Sequence, residues 1–341
     1  MTDIKEIIKF ARPGSAESSI NTYARIYTKF TDYADTFDGE MDPDEWVQDT
    51  DWVDERIESL NLKPTTQRNY YVALMIFTEG FNGGKYSNKW EQLPEYLHYK
   101  SKADALNKAY NENVSKGGGI TSGQKENMTE LDEIIKMMES MTPTLRKIRS
   151  GLDWTSGPGA IARTDTDFYM AYVLISLYLE LPLRNEVATL VYINQRDLNR
   201  IPQDMRTNYL VDSKKDGVSI IRYKYKTSAV HGPITIKLEK ELGSLVRGWI
   251  KWRNIQKTEF VFPELQPSKD ATVSTAELNL TKFLQRFFKS GIDKKISTTL
   301  LAKITTKNLI DKETLKKLAK AAMMRGTSLG VMGAIYAGGG S

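Results

Sequence analysis

The sequence predicts a mainly α-helical protein with a small antiparallel sheet, an α+β fold in two parts. Apolar residues recur at helical spacing along most of the chain, whereas alternation is confined to residues 209–238. Glycine is concentrated near residues 116–123. At 341 residues the chain is long for one core and fits two domains.

Residues 1–16 read as a short helix or arm broken at Arg12-Pro13-Gly14. Ser18 and Ser19 are suitable N-caps for a helix to about Thr36, with Ile20, Tyr23, Tyr27 and Phe30 on one stripe. An acidic helix from Trp46 to Leu60 follows and stops at Asn61-Leu62-Lys63-Pro64. Thr65 or Thr66 caps the next helix, which carries Tyr70, Leu74 and Phe77 inward, and Trp90–Tyr110 is a long helix interrupted near Pro94. The glycines of 116–123 mark a linker. The expected division is therefore a helical module over 1–115, a linker over 116–127, a second domain over 128–336 and a flexible tail over 337–341.

In the second domain, Met128–Ser140 reads as a helix, 141–165 as an irregular insertion and Asp167–Leu181 as a buried apolar helix. Leu181-Pro182-Leu183-Arg184-Asn185-Glu186 sets an arginine where that helix meets a turn. Burial there costs energy unless an anion answers it, either Glu186 or Glu180 or a phosphate. Residues 209–238 read as three antiparallel strands, with Lys226 near a hairpin tip and His231 in the His-Gly-Pro turn. Helices over Leu242–Ile255 and Ala276–Lys289 lead to a basic helical tail from Ile296 that includes Lys303, Lys307 and Arg325. That tail ends in Gly326-Thr327-Ser328 and a short apolar segment closed by Tyr336. This tyrosine is either a packing residue or a positioned nucleophile or phosphate contact.

The composition narrows the chemistry. With no cysteine, disulfides, thiol catalysis and cysteine-ligated zinc are excluded. Two histidines, His98 and His231, are too few for a multi-histidine metal site and make a Ser-His-Asp triad improbable. No apolar run approaches a membrane span, and the first residues have no secretory pattern, so an intracellular protein without a membrane partner is expected. The net charge of +5 is uneven: residues 1–120 hold 14 Lys/Arg against 20 Asp/Glu, and the remainder hold 34 against 23. A basic second part points to a polyanion, with nucleic acid the expected partner.

The order of these features resembles the tyrosine recombinases, or phage-type integrases: a helical module, a glycine linker, a buried helix ending in arginine, a sheet with a lysine tip, basic helices and a late tyrosine. The likeness spans roughly residues 17–336. Ser18–Tyr33 and Thr65-Thr66-Gln67-Arg68-Asn69-Tyr70 look most like versions from large DNA viruses and mobile elements. The resemblance implies a two-domain clamp on duplex DNA that self-associates into dimers and tetramers. It also implies strand cleavage and rejoining through a 3′-phosphotyrosyl intermediate, without metal or nucleotide cofactor or small-molecule substrate.

On that resemblance Tyr336 is the nucleophile, Arg184 clamps the phosphate, Lys226 is the general acid, and Thr327 stands in the Gly-His-Ser motif nine residues before the tyrosine. Thr299, His231, Lys307, Arg325 and Arg68 become DNA contacts. The departures are specific. Glu186 lies two residues after Arg184, where the family places it three after. Thr299 and Ala302 occupy the His-x-x-Arg box, leaving Lys303 as the nearby cation, and Thr327 replaces a histidine. Two functions of different class follow: an active recombinase, or a DNA-binding protein of that fold with impaired cleavage.

Overall fold

The computed structural model describes residues 3–34, 45–113, 120–150, 162–181, 183–226, 228–267 and 273–307. Most of the described chain is helical, with one four-stranded mixed sheet, an α+β fold. Contacts divide it into two compact units, Met1–Val114 and Ser115–Ser341.

The first unit carries α1 (Ile4–Ala11), α2 (Glu17–Ala34), α3 (Thr50–Ser59), α4 (Pro64–Phe81) and α5 (Pro94–Asn113). Its core forms from apolar stripes at helical spacing, including Ile8, Phe30, Trp46, Phe77 and Tyr99. Each such side chain contributes about 1.5–3 kcal/mol by leaving water. Phe30 stacks on Trp46 at 4.9 Å, and the buried Tyr99 hydroxyl donates to the Val47 carbonyl at 2.7 Å. Gly80 sits where α4 meets α1, and a Cβ there would collide with Ile7. Two expected caps are displaced. α2 begins at Glu17, so Ser18 and Ser19 lie inside its first turn. α4 begins at Pro64 behind an extended Lys63 with no side-chain cap, because a proline's fixed φ already suits the first helical position.

The second unit carries α6 (Ser122–Glu126), α7 (Leu131–Ser150), α8 (Arg163–Glu180), α9 (Gln195–Leu198), α10 (Ser228–His231), α11 (Lys240–Trp252), α12 (Val273–Ile292) and α13 (Thr298–Lys307). Its strands are β1 (Val191–Asn194), β2 (Tyr209–Ser213), β3 (Gly217–Arg222) and β4 (Ile234–Lys237). The expected three-stranded antiparallel sheet is instead four-stranded, in the order β1-β2-β3-β4, with β1 parallel to β2 and the other pairs antiparallel. The parallel pairing needs a crossover, and residues 195–208 supply it through α9. The outer edge of β1 is covered where Tyr192 and Glu259 share a backbone hydrogen bond of 2.8 Å.

Both faces of the sheet are buried. Leu210, Ile220 and Ile236 join the main core, while Tyr209, Val211 and Ile221 pack with Ile193 and Leu198 on the other side. The β2–β3 hairpin turns through Gly217, whose φ of 89° suits glycine.

Two loops of the sequence reading are helical. Residues 122–126 of the expected linker form α6, closed by a Thr121/Gln124 capping box. It is tied to the body where Lys294 Nζ donates to the Glu126 carbonyl at 3.0 Å. The expected insertion over 141–165 is helical to Ser150, because α7 continues through Pro143 and buries Met141 and Leu145. α8 then begins at Arg163.

Candidate functional site

The cleft of interest lies wholly in the second unit, with a volume of about 320 Å³. Its walls come from four segments: Leu183–Glu186, Lys224–Lys226, Glu277 on α12, and Thr298 with Thr299 on α13. Arg184, Lys226 and Thr299 therefore share one cleft, joined by Lys224 and Glu277.

Arg184 precedes a 3-10 turn, Asn185–Thr189, that packs on α12. The Tyr178 hydroxyl at the end of α8 donates to the Arg184 carbonyl at 3.1 Å and fixes the backbone. Asn185, also in the cleft wall, bridges two helices: its Nδ2 donates to Thr281 Oγ1 at 3.2 Å, and its Oδ1 accepts from Thr298 Oγ1 at 2.5 Å. One amide thus ties the arginine turn to α12 and α13. Among the described residues the Arg184 guanidinium makes no ion pair. The expected partner Glu186 is taken by another arginine, and Glu180 is exposed without an ion pair.

That arginine is Arg222, the last residue of β3 and 1% exposed. Its Nη2 lies 2.5 Å from Glu186 Oε1, and its guanidinium carbon sits 4.5 Å from the Tyr225 ring centroid. Its Nε and Nη1 are buried without a hydrogen-bond partner. Arg222 thereby links the Arg184 turn, through Glu186, to the Lys226 loop, through Tyr225. Sequence reasoning missed it, although a charged residue ending an apolar β run was a visible signal.

The Lys226 loop leaves the sheet at Arg222 and is held by Asn208 rather than by strand pairing. Asn208 Oδ1 accepts from the Tyr223 and Lys224 amides at 3.0 and 2.9 Å, and its Nδ2 donates to the Lys224 carbonyl at 2.7 Å. The Tyr225 hydroxyl donates to the Gly232 carbonyl at 2.7 Å, closing the loop across its base. Burial pushes the Tyr225 phenol above its usual pKa, the Arg222 charge opposes this, and the Glu186 charge reinforces it. Lys224 and Lys226 are exposed, and among the described residues their ammonium groups are unpaired.

Other expected site residues lie elsewhere. Lys303 does not line the cleft. It is 5% exposed, donates to Gln124 Oε1 at 2.9 Å, and burial pushes its pKa below the ordinary lysine value. Ala302, at the place of the expected arginine, is fully buried. His231 is exposed at the end of α10 and does not line the cleft. Arg68 belongs to the first unit, where it donates to Asn107 Oδ1 at 2.9 Å. Lys307 closes α13, with its side chain outside the described residues. Arg325, Thr327 and Tyr336 also lie outside them.

The arrangement presents three cations around a space large enough for a phosphate group, with one buried ion pair beneath it. Such a wall can neutralise the non-bridging oxygens of a phosphodiester, and the arginine can do so with two parallel hydrogen bonds. Among the described residues no group of three or more acidic or histidine side chains is placed to hold a metal ion, and no helix is long and apolar enough to cross a membrane.

No family model matches the sequence, and no curated protein matches it. A crystal structure of XerA recombinase is weakly similar, with a TM-score of 0.35 and 11% identity over 98% of this chain and 93% of that one.

Proposed function

We propose that the chain is a site-specific DNA recombinase or integrase of the tyrosine type, which binds duplex DNA and seats the scissile phosphate against Arg184 and Lys226. The observation that carries this reading is the convergence of Arg184, Lys226 and Thr299 on one cleft from segments more than 40 residues apart in sequence.

In the proposed reaction the Tyr336 phenolic oxygen gives its proton to solvent and attacks phosphorus. The P–O5′ bond breaks, and the departing 5′ oxygen takes a proton from Lys226. Religation runs these steps in reverse. Arg184 holds a non-bridging oxygen, Thr299 and Thr327 contact the same phosphate, and the first unit supplies Arg68 to the DNA backbone. No cofactor is required, since the phosphotyrosyl bond conserves the phosphodiester energy. Dimers or tetramers on mobile or viral DNA inside the cell complete the proposal.

A second reading is favoured by α13. With Ala302 buried and Lys303 committed to Gln124, the second guanidinium of the phosphate clamp has no counterpart from that helix. Each lost contact of this kind costs about 10²–10³ in rate, which fits a DNA-binding protein with impaired cleavage. Trapping separates the two. Incubation with a nicked suicide duplex containing the cognate site should give a covalent protein–DNA adduct that disappears in Tyr336→Phe. Binding without any adduct leaves the second reading in place.

A further inference from the structure

Glu277 is the one acidic wall of the cleft without a partner. Glu186 is committed to Arg222, whereas among the described residues the half-buried Glu277 carboxyl makes no hydrogen bond or ion pair. Arg184, Lys224 and Lys226 line the same cleft, yet none lies within ion-pair distance of it. The 320 Å³ space separates them, and that space is the one a phosphate would fill. An ionised Glu277 would repel such an anion at close range, in surroundings that screen poorly.

We propose that Glu277 makes this cleft take its phosphodiester together with one proton, which the Glu277 carboxyl carries in the bound state. The inference rests on the reading of the cleft as a DNA phosphate site. No covalent step is involved: a proton from solvent adds to a carboxylate oxygen, the repulsion disappears, and the resulting O–H can donate to the phosphate.

Burial and the neighbouring Glu186 favour this, whereas the cationic walls oppose it. The segment around Arg184 presents Arg184 and Glu186, and the loop after β3 presents Lys224, Tyr225 and Lys226. Thr298 and Thr299 on α13 carry no charge. Behind α12, Glu264 is paired with Arg253. Burial, and then the charge of Glu186, push the Glu277 carboxyl above the usual carboxylate range, so the proton is already held more tightly than in solution. An anion in the cleft raises it further. By linkage the site binds more strongly as pH falls, until Glu277 is protonated in the free protein as well.

Glu277 thereby acts as a selectivity element: it penalises anions that arrive when the carboxyl is ionised and rewards a ligand able to accept its hydrogen bond. Fluorescence anisotropy of the full chain with a short duplex DNA, at fixed ionic strength across the neutral pH range, tests this. A phosphodiester does not titrate there, so any pH dependence belongs to the protein. Wild-type affinity should fall as pH rises, approaching about tenfold per pH unit for one proton. Glu277→Gln and Glu277→Ala should bind more tightly than wild type above neutrality and lose that slope, although both histidines remain. Equal slopes in wild type and variants, or a flat wild-type profile, overturn the inference while leaving DNA binding intact. A wild-type chain that binds no duplex at any pH overturns the underlying DNA reading, and this inference falls with it.

Discussion

Asn208 makes three hydrogen bonds to two residues of the Lys226 loop, and this is where a single side chain has most leverage on the cleft. At about 1 kcal/mol each, Asn208→Ala should cost roughly 2–3 kcal/mol in urea unfolding. It should also weaken DNA binding, because Lys226 loses its fixed position. Arg222→Met removes the partner of the largely buried Glu186 and should cost about 3–5 kcal/mol. Asp54 in the first unit provides a pH test. It accepts from Tyr71 at 2.8 Å and contacts His98 at 3.0 Å and Lys102 at 2.5 Å. Burial raises its carboxyl pKa, but hydrogen bonds from Lys102, Tyr71 and His98 outweigh this and hold it below the ordinary aspartate value. A depressed folded pKa gives stability that is present above the unfolded pKa and lost as pH falls through the folded one. Asp54→Asn should therefore destabilise the protein by about 1–3 kcal/mol near neutrality, a deficit that closes in acid denaturation series.

Among elements, α13 gives the clearest separation of roles. Thr298 and Thr299 at its start line the cleft, while Lys303 one turn on is buried against Gln124 of α6. Replacing a buried charge by an apolar side chain of similar length is often neutral or stabilising. Lys303→Met is expected to leave thermal stability unchanged or raised and DNA affinity unaltered; a large affinity loss would return Lys303 to the site. The longer helices were legible because their apolar stripes run for about three turns or more; the four-residue α9 and α10 were not. β1 was not, since four residues are too short to display alternation and its partner β2 is set by a crossover. α6 carried its own signal, Thr121-x-x-Gln124, overshadowed by the glycines before it. The stretch 141–165 read as an insertion, whereas α7 runs through Pro143 because burial of Met141 and Leu145 offsets the roughly 3 kcal/mol cost of a proline within a helix.

For the whole molecule, the mainly helical α+β class was legible from periodicity, and the charge imbalance was visible from counting alone. What the sequence concealed was how side chains pair. Glu186 lies two residues from Arg184 in sequence but turns to Arg222, and Lys303 faces α6, because strand register and helix rotation decide partners that spacing does not. The basic balance of residues 121–341 makes a further prediction. Duplex affinity should fall linearly on a log–log plot against salt, by about 0.9 per phosphate neutralised, and Arg184→Ala and Lys226→Ala should each flatten that slope by about one.

The assembly of the cleft from residues near 184, 226, 277 and 299 also bears on how the second unit comes together. Contacts at such sequence separation form late, after the long intervening loops have closed. The site therefore cannot exist in a partly folded chain, and occupancy is linked to native structure throughout that unit. A ligand held there at 100 times its dissociation constant would add about 2.7 kcal/mol to the stability of the folded form. Hydrogen exchange should then slow in the sheet and α12 together, giving a readout of cleft occupancy that extends beyond the residues lining it.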